Sequence, residues 1–100
     1  MSYAQLEMNV LHWGERRGIV QNGKPMGQAI KTLEEVTELL DAINKSDREA
    51  TIDAVGDVVV TLIMVCATLD LDLTECLGAA YEQIKDRKGY LTPEGVFVKQ

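Results

Sequence analysis

The run Asp53-Ala54-Val55-Gly56-Asp57-Val58-Val59-Val60-Thr61-Leu62-Ile63-Met64-Val65-Cys66-Ala67-Thr68-Leu69 decides how this chain folds. Its last 12 residues, Val58 to Leu69, carry no charge and are apolar on every side when wound as a helix. Such a helix has to be covered all round. The uncharged run contains Thr61 and Thr68 and is shorter than the ~20 residues a bilayer requires, so a membrane span is not expected. Ahead of it, Ser46-x-x-Glu49 reads as a capping box, which places a helix from there to about Leu69, about 34 Å long.

Three more helices flank this one. Upstream, Met26, Ile30, Leu33, Val36, Leu40 and Ile43 share one face of a helix that starts near Pro25 or Met26 and stops in Asn44-Lys45. Ser2-x-x-Gln5 is a second capping box, followed by Tyr3, Leu6, Val10 and Trp13 at helical spacing, to about Arg17 and the stop at Gly18. The stretch from Gly18 to Gly27 holds the turn signals Asn22-Gly23 and Lys24-Pro25 and is the longest internal connection, long enough to cover a site. Downstream, Asp72-x-x-Glu75 caps a last helix with Leu73, Leu77, Ala80, Tyr81 and Ile84 on its apolar face, ended by Gly89. The tail, Tyr90 to Gln100, is left to dock on the bundle or on a neighbouring subunit, and no strand pair that would build a sheet is expected.

These helices describe one all-α domain over residues 1–100, four-helix-bundle-like. A monomer of this size covers one or two sides of its central helix, so self-association, as a homodimer or homotetramer, is expected to complete the fold.

Composition narrows the partners. Ten basic against 16 acidic residues leave a net charge of −6, which opposes a nucleic-acid backbone or a polybasic membrane anchor. Ser2 to Glu7 has neither the basic nor the apolar region of a signal peptide. Cys66 and Cys76 form no CxxC pair and are too few for a disulfide scaffold. They read as small buried hydrophobes in a reducing, cytoplasmic protein.

The acids are patterned. Glu34, Glu35 and Glu38 fall within one helical turn, Glu34 about 40° and Glu35 about 60° from Glu38. On the long helix, Asp53 and Asp57 stack at i, i+4. A Glu-rich face is ordinarily a solvated one, and Lys31 can pair with part of this one. Gly56-Asp57 is harder to explain structurally. Aspartate is a poor helix-interior residue, glycine costs about 1 kcal/mol there, and an unpaired buried charge costs several. A helix that brings a carboxylate and a close-approaching backbone to a metal has a reason to carry that pair. Two acidic clusters meeting across antiparallel helices would repel unless a hard, oxygen-seeking divalent ion sat between them, Mg²⁺ by default with Mn²⁺ as substitute. Zinc is disfavoured, because His12 is the only histidine, and no Glu-x-x-His pair supports a di-iron site.

Three blocks, Gln28-x-x-Lys31-x-x-Glu34-Glu35-x-x-Glu38-Leu39, Asp53-Ala54-Val55-Gly56-Asp57 and Ile84-Lys85-Asp86-Arg87-Lys88-Gly89, together resemble the MazG-like all-α nucleotide pyrophosphohydrolases. That group includes the dimeric dUTPases and the phosphoribosyl-ATP pyrophosphohydrolases. The family pattern is E-E-x-x-E followed by E-x-x-D, and its second-block glutamate falls on Ala54 here, with the acid one position earlier at Asp53. The resemblance implies hydrolysis of a nucleoside triphosphate between its α- and β-phosphates, giving a monophosphate and pyrophosphate, in house-cleaning or control of a nucleotide pool.

On that reading Glu35, Glu38 and Asp57 hold the metal with Asp53 in support, directly or through water, and Glu34 is the base toward water. Lys31, Lys85, Arg87 and Lys88 face the phosphates, although the last three also suit a helix C-terminus as dipole-complementing cations. Trp13 stacks on a base or belongs to the core. The alternative to the enzyme is a catalytically weak nucleotide-binding protein or a helical dimerising interaction protein, which the missing acid at Ala54 favours.

Overall fold

Ser2 opens the first helix with both bonds of a capping box: its hydroxyl accepts from the Gln5 amide at 3.2 Å, and the Gln5 side chain accepts from the Ser2 amide at 2.8 Å. The computed structural model describes residues 1–100. Helix α1 spans Tyr3–Arg16. Gly18, at φ 77°, turns the chain into a single-turn helix α2, Ile19–Asn22, inside what reads from sequence as a plain connection. That left-handed φ suits a residue without a Cβ.

Pro25 occupies the first turn of α3, Pro25–Asn44, where its missing N–H is no loss. The chain then reverses in three residues. Ser46 adopts φ 53° and donates its amide to the Ile43 carbonyl at 3.0 Å, and Asp47 donates to Ala42 at 3.1 Å, a Schellman closure. Asp47 also caps the next helix, accepting from the Ala50 amide at 3.0 Å. The cap of α4, Arg48–Thr68, is therefore Asp47 and not Ser46, because the left-handed residue at 46 is used to end α3. Asp72 caps α5, Leu73–Ile84, as its spacing predicts, accepting from the Glu75 amide at 2.7 Å.

Two expectations fail beyond Ile84. The helix stops there, five residues short of Gly89, and Gly89 opens a strand. Strands β1, Gly89–Leu91, and β2, Phe97–Lys99, pair antiparallel with Tyr90 opposite Val98. A Cβ on residue 89 would run into the Val98 carbonyl, so the glycine belongs to the close strand pairing. Three-residue strands are too short for an alternation to show in the sequence.

Helices α3 and α4 form an antiparallel hairpin whose seam buries Ala42, Ala54 and Thr61. Helix α1 crosses α4 where Gly14 faces Met64, the most buried side chain of the chain at 2% exposure. By length and composition α4 is long and apolar enough to cross a bilayer, with mean hydropathy 1.9 over its most apolar stretch, where the uncharged run alone reads as too short. In this fold it is the central element, touched by α1, α2, α3 and α5.

The cover is incomplete. Ile52, Val55 and Leu62 of α4 and Leu69 just past its end remain exposed, α5 touches only α4, and the strand pair packs on no other element. The chain exposes 7679 Å², against about 5,700 Å² for a folded monomer of 11.1 kDa. Its radius of gyration of 15.6 Å likewise exceeds the ~13 Å usual for this length.

Candidate metal centre

The short Lys45–Asp47 reversal fixes the register of the helix pair, so that Glu35 on α3 lies level with Asp57 on α4. Glu35 turns into the seam and is buried, Asp57 is half-buried, and Glu38, one turn along α3, is exposed at the rim. Each offers a carboxylate oxygen, and these oxygens all lie within 4.8 Å of one another.

The charge there is under-compensated. Lys31, the nearest cation, lies 3.2 Å from Glu34 and 3.7 Å from Oε1 of Glu35. Oε2 of Glu35 is buried with no hydrogen-bond partner. Burial first, then the neighbouring Glu38, push the Glu35 carboxyl above the usual carboxylate range, and Lys31 only partly opposes this. Asp57 is raised in the same way, by burial and then by Asp53 and Glu35. An all-carboxylate donor set with an orphaned buried oxygen fits a hard divalent ion such as Mg²⁺ or Mn²⁺.

An open pocket of about 510 Å³ adjoins the carboxylates. Glu35 and Asp57 form part of its wall, with Trp13 from α1, Gln28 and Lys31 from α3, and Thr61 from α4. Ile19 of α2 and Gly27 also line it, so the connection after Gly18 does flank the site. An acid-lined end, one lysine and an aromatic face can together accommodate a phosphorylated, base-bearing molecule.

Not every residue singled out in the sequence reaches this place. Glu34 points outward and is held by Lys31, outside the carboxylate trio. Asp53 is exposed, stays out of the trio, and lines a separate polar groove with Glu38 and Ala54. Three acids converge, then, and not five. Lys85 pairs with Glu82 at 2.9 Å on α5, Arg87 and Lys88 lie exposed beyond its end, and none of them lines the pocket. Of the four cations expected at the phosphates, one chain places only Lys31 there.

Gly56 does not serve a close approach within the chain, since a Cβ there would meet nothing within 4 Å. It sits instead on the exposed side of α4 that carries Ile52. Thr61 and Gln28 are the polar wall residues to which the sequence assigned no role. The available signal for Thr61 was its spacing, one turn after Asp57 on the same face.

Residues 27–92 match the model of the MazG nucleotide pyrophosphohydrolase domain. The chain belongs to the MazG nucleotide pyrophosphohydrolase family. Its MazG segment takes in α3 from its third residue on, α4 and α5, and with them all three converging carboxylates. A protein of Haemophilus phage HP1, described as an uncharacterized 18.2 kDa protein in the rep-hol intergenic region, is 31% identical over 68 residues. That alignment takes in 68% of this chain but 42% of the phage protein. The fold is also that of the cyanophage S-2L MazG-like pyrophosphohydrolase, solved with dGDP and three catalytic Mn²⁺ ions per active site. The two superpose with a TM-score of 0.72 at 24% identity, over 100% of this chain and 94% of the other.

Proposed function

We propose that this MazG-family protein is a metal-dependent nucleoside triphosphate pyrophosphohydrolase, converting a (d)NTP to the (d)NMP and pyrophosphate. The observation that carries the reading is the convergence of Glu35, Glu38 and Asp57 around a buried, unpartnered carboxylate oxygen at the wall of an open pocket. Glu35, Glu38 and Asp57 would hold Mg²⁺ or Mn²⁺, which would supply Lewis acidity toward phosphate oxygens and water. Asp53 acts in support from the next turn of α4.

The chain's own groups do the rest. Lys31 is the one cation on the pocket wall and takes the negative charge of the phosphate tail. Trp13, on the pocket wall, would stack on the base. Glu34, outside the trio and exposed, is the base that orients or deprotonates the attacking water. Lys85, Arg87 and Lys88 would reach phosphates only from a second copy of the chain. Self-association as a homodimer or homotetramer also accounts for the exposed apolar side of α4 and for the loosely held α5. The working role is cytoplasmic house-cleaning or control of one nucleotide pool.

The alternative, a catalytically weak nucleotide-binding or dimerising interaction protein, draws on one observation. Ala54 occupies the position of the family's fourth acid, 4% exposed in the seam, while Asp53 stands outside the trio. Pyrophosphate release from a panel of canonical and modified NTPs and dNTPs, with and without Mg²⁺ and with Asp57→Ala as blank, separates the readings. Metal-dependent release absent from the variant supports the enzyme. Thermal stabilisation by Mg²⁺ and a nonhydrolysable nucleotide without release supports the binding protein, and neither effect leaves the interaction protein.

A further inference from the structure

Helix α5 is held to the rest of the chain by little besides one contact. It touches only α4, and it is joined to it by the short stretch Leu69 to Asp72, in which Asp70 takes φ 57°. At this joint the two cysteines, which the sequence presents as unrelated small hydrophobes, come together. Sγ of Cys66, in the last turns of α4, lies 3.9 Å from Sγ of Cys76, in the first turns of α5. Both are free thiols, Cys66 buried and Cys76 half-buried.

A cavity of about 370 Å³ between α1 and the α4–α5 joint opens beside the pair, with Cys66, Leu71 and Asp72 in its wall. It lies apart from the carboxylate site, sharing no wall residue with the pocket of Glu35 and Asp57. We propose that Cys66 and Cys76 form a redox latch, a thiol pair that a low-molecular-weight disulfide converts to an intrachain disulfide fastening α5 to α4.

The chemistry balances as two exchanges. The more exposed Cys76, as thiolate, attacks one sulfur of the small disulfide, whose S–S bond breaks and releases one thiolate. Cys66 then loses its proton and attacks the Cys76 sulfur of the mixed disulfide, expelling the second small thiolate. The two cysteines give up two electrons and two protons, and one small disulfide becomes two small thiols. The Cys66 thiol is pushed up to about 11, by burial first and then by its hydrogen-bonded neighbour Cys76. Asp72 and Glu7 face the same sulfur and add to the shift, and Tyr3 of α1 lies within their reach. A thiol so surrounded stays protonated at rest, so the second exchange is the slow one.

Closing the bond ties positions ten apart across the joint and takes away freedom that the unfolded chain would otherwise have. It also fixes where α5 points, and with it the Lys85–Lys88 cations and the strand pair that follow.

The full chain, incubated with glutathione disulfide and analysed by intact mass, non-reducing electrophoresis and peptide mapping, tests this. The expected result is a monomeric product lighter by two hydrogens with residues 66 and 76 in one linked peptide. Its melting temperature is expected to rise by about 5–10 °C, reversibly with a reductant. Cys76→Ser, at the half-buried position, is expected to melt as the reduced chain does and to show no rise. A stable glutathione adduct at Cys76, chains linked through Cys66 or Cys76, or a closed bond with no change in melting would each overturn the latch.

Discussion

Thr32 of α3 donates its hydroxyl to Thr61 of α4 across 2.9 Å, and Thr61 passes its own hydroxyl to the Val58 carbonyl at 2.7 Å. This chain of two bonds crosses the helix seam one turn from the carboxylates, on the wall of the same pocket. Thr61→Val keeps the volume but removes the acceptor, and Thr32 has the Gln28 carbonyl at 3.1 Å to fall back on. The expected cost is about 1 kcal/mol, read as a lower urea midpoint with an unchanged slope.

Removing a ligand and removing a charge have different signatures at the metal centre. Glu38→Ala and Asp57→Ala are each expected to abolish metal-dependent turnover while circular dichroism shows the fold intact. Glu35→Gln takes a charge out of the seam, so the metal-free protein is expected to melt higher than wild type. It loses in exchange the stabilisation by Mg²⁺, which for a single site amounts to about 2.7 kcal/mol at a hundredfold excess over Kd. A variant that keeps the Mg²⁺ shift would remove Glu35 from the site.

The same two carboxyls set a pH dependence. Glu35 and Asp57 are both raised in the folded protein, by burial first. Between their ordinary range and their folded range the native state therefore holds more protons than the unfolded one. The metal-free protein should accordingly lose stability as pH rises through that window. Metal binding requires the ionised carboxylates, so the shift that Mg²⁺ gives the melting temperature is expected to shrink as pH falls into the window, with protons released on binding. Calorimetry in two buffers of different ionisation enthalpy checks the release.

A Cβ on residue 14 would stand 2.7 Å from Cε of Met64 and closer still to its sulfur. Met64 is 2% exposed, so its thioether can yield only by turning toward the pocket that it helps to line. Gly14→Ala is therefore expected to cost about 1–2 kcal/mol despite the better helix propensity of alanine. Combined with Met64→Val it should cost less than the sum of the two single changes, as a double-mutant cycle in denaturant would show.

If copies of the chain cover α4 and α5, the melting temperature rises with protein concentration. Light scattering across the same range gives the assembly size, and a monomer whose melting is independent of concentration would remove the self-association reading.

The long helices were legible because their signals are local. Ser2 and Asp72 mark helix starts by side chains that meet amides three residues away, Pro25 marks one by lacking an N–H in the first turn, and the structure uses all three. Ser46 misled because its left-handed backbone, set by the closing of α3, is not written in residue type. The Gly89 region misled for a related reason: strand pairing between residues 89 and 99 is a contact at a distance that neither segment announces. The carboxylates divide along the same line. Helical spacing put Glu34, Glu35 and Glu38 in one turn, but which of them enters the seam depends on where α4 lies, and only Glu35 and Glu38 join Asp57. The nearness of Cys66 to Cys76 depends in turn on the angle at the Asp70 joint.

The three-residue reversal at Lys45–Asp47 bears on the order in which the molecule assembles. Glu35, Glu38 and Asp57 belong to one helical hairpin, so their meeting requires no contact with α1, α5 or the strand pair. Contacts of such short sequence separation form early, since closing a small loop costs little entropy. During synthesis the ligands can come together once the first turns of α4 have left the ribosome, before α5 and the strands exist. A divalent ion captured at that stage would act on the nascent chain as a folding ligand, biasing the helical hairpin toward its native register ahead of any catalytic use.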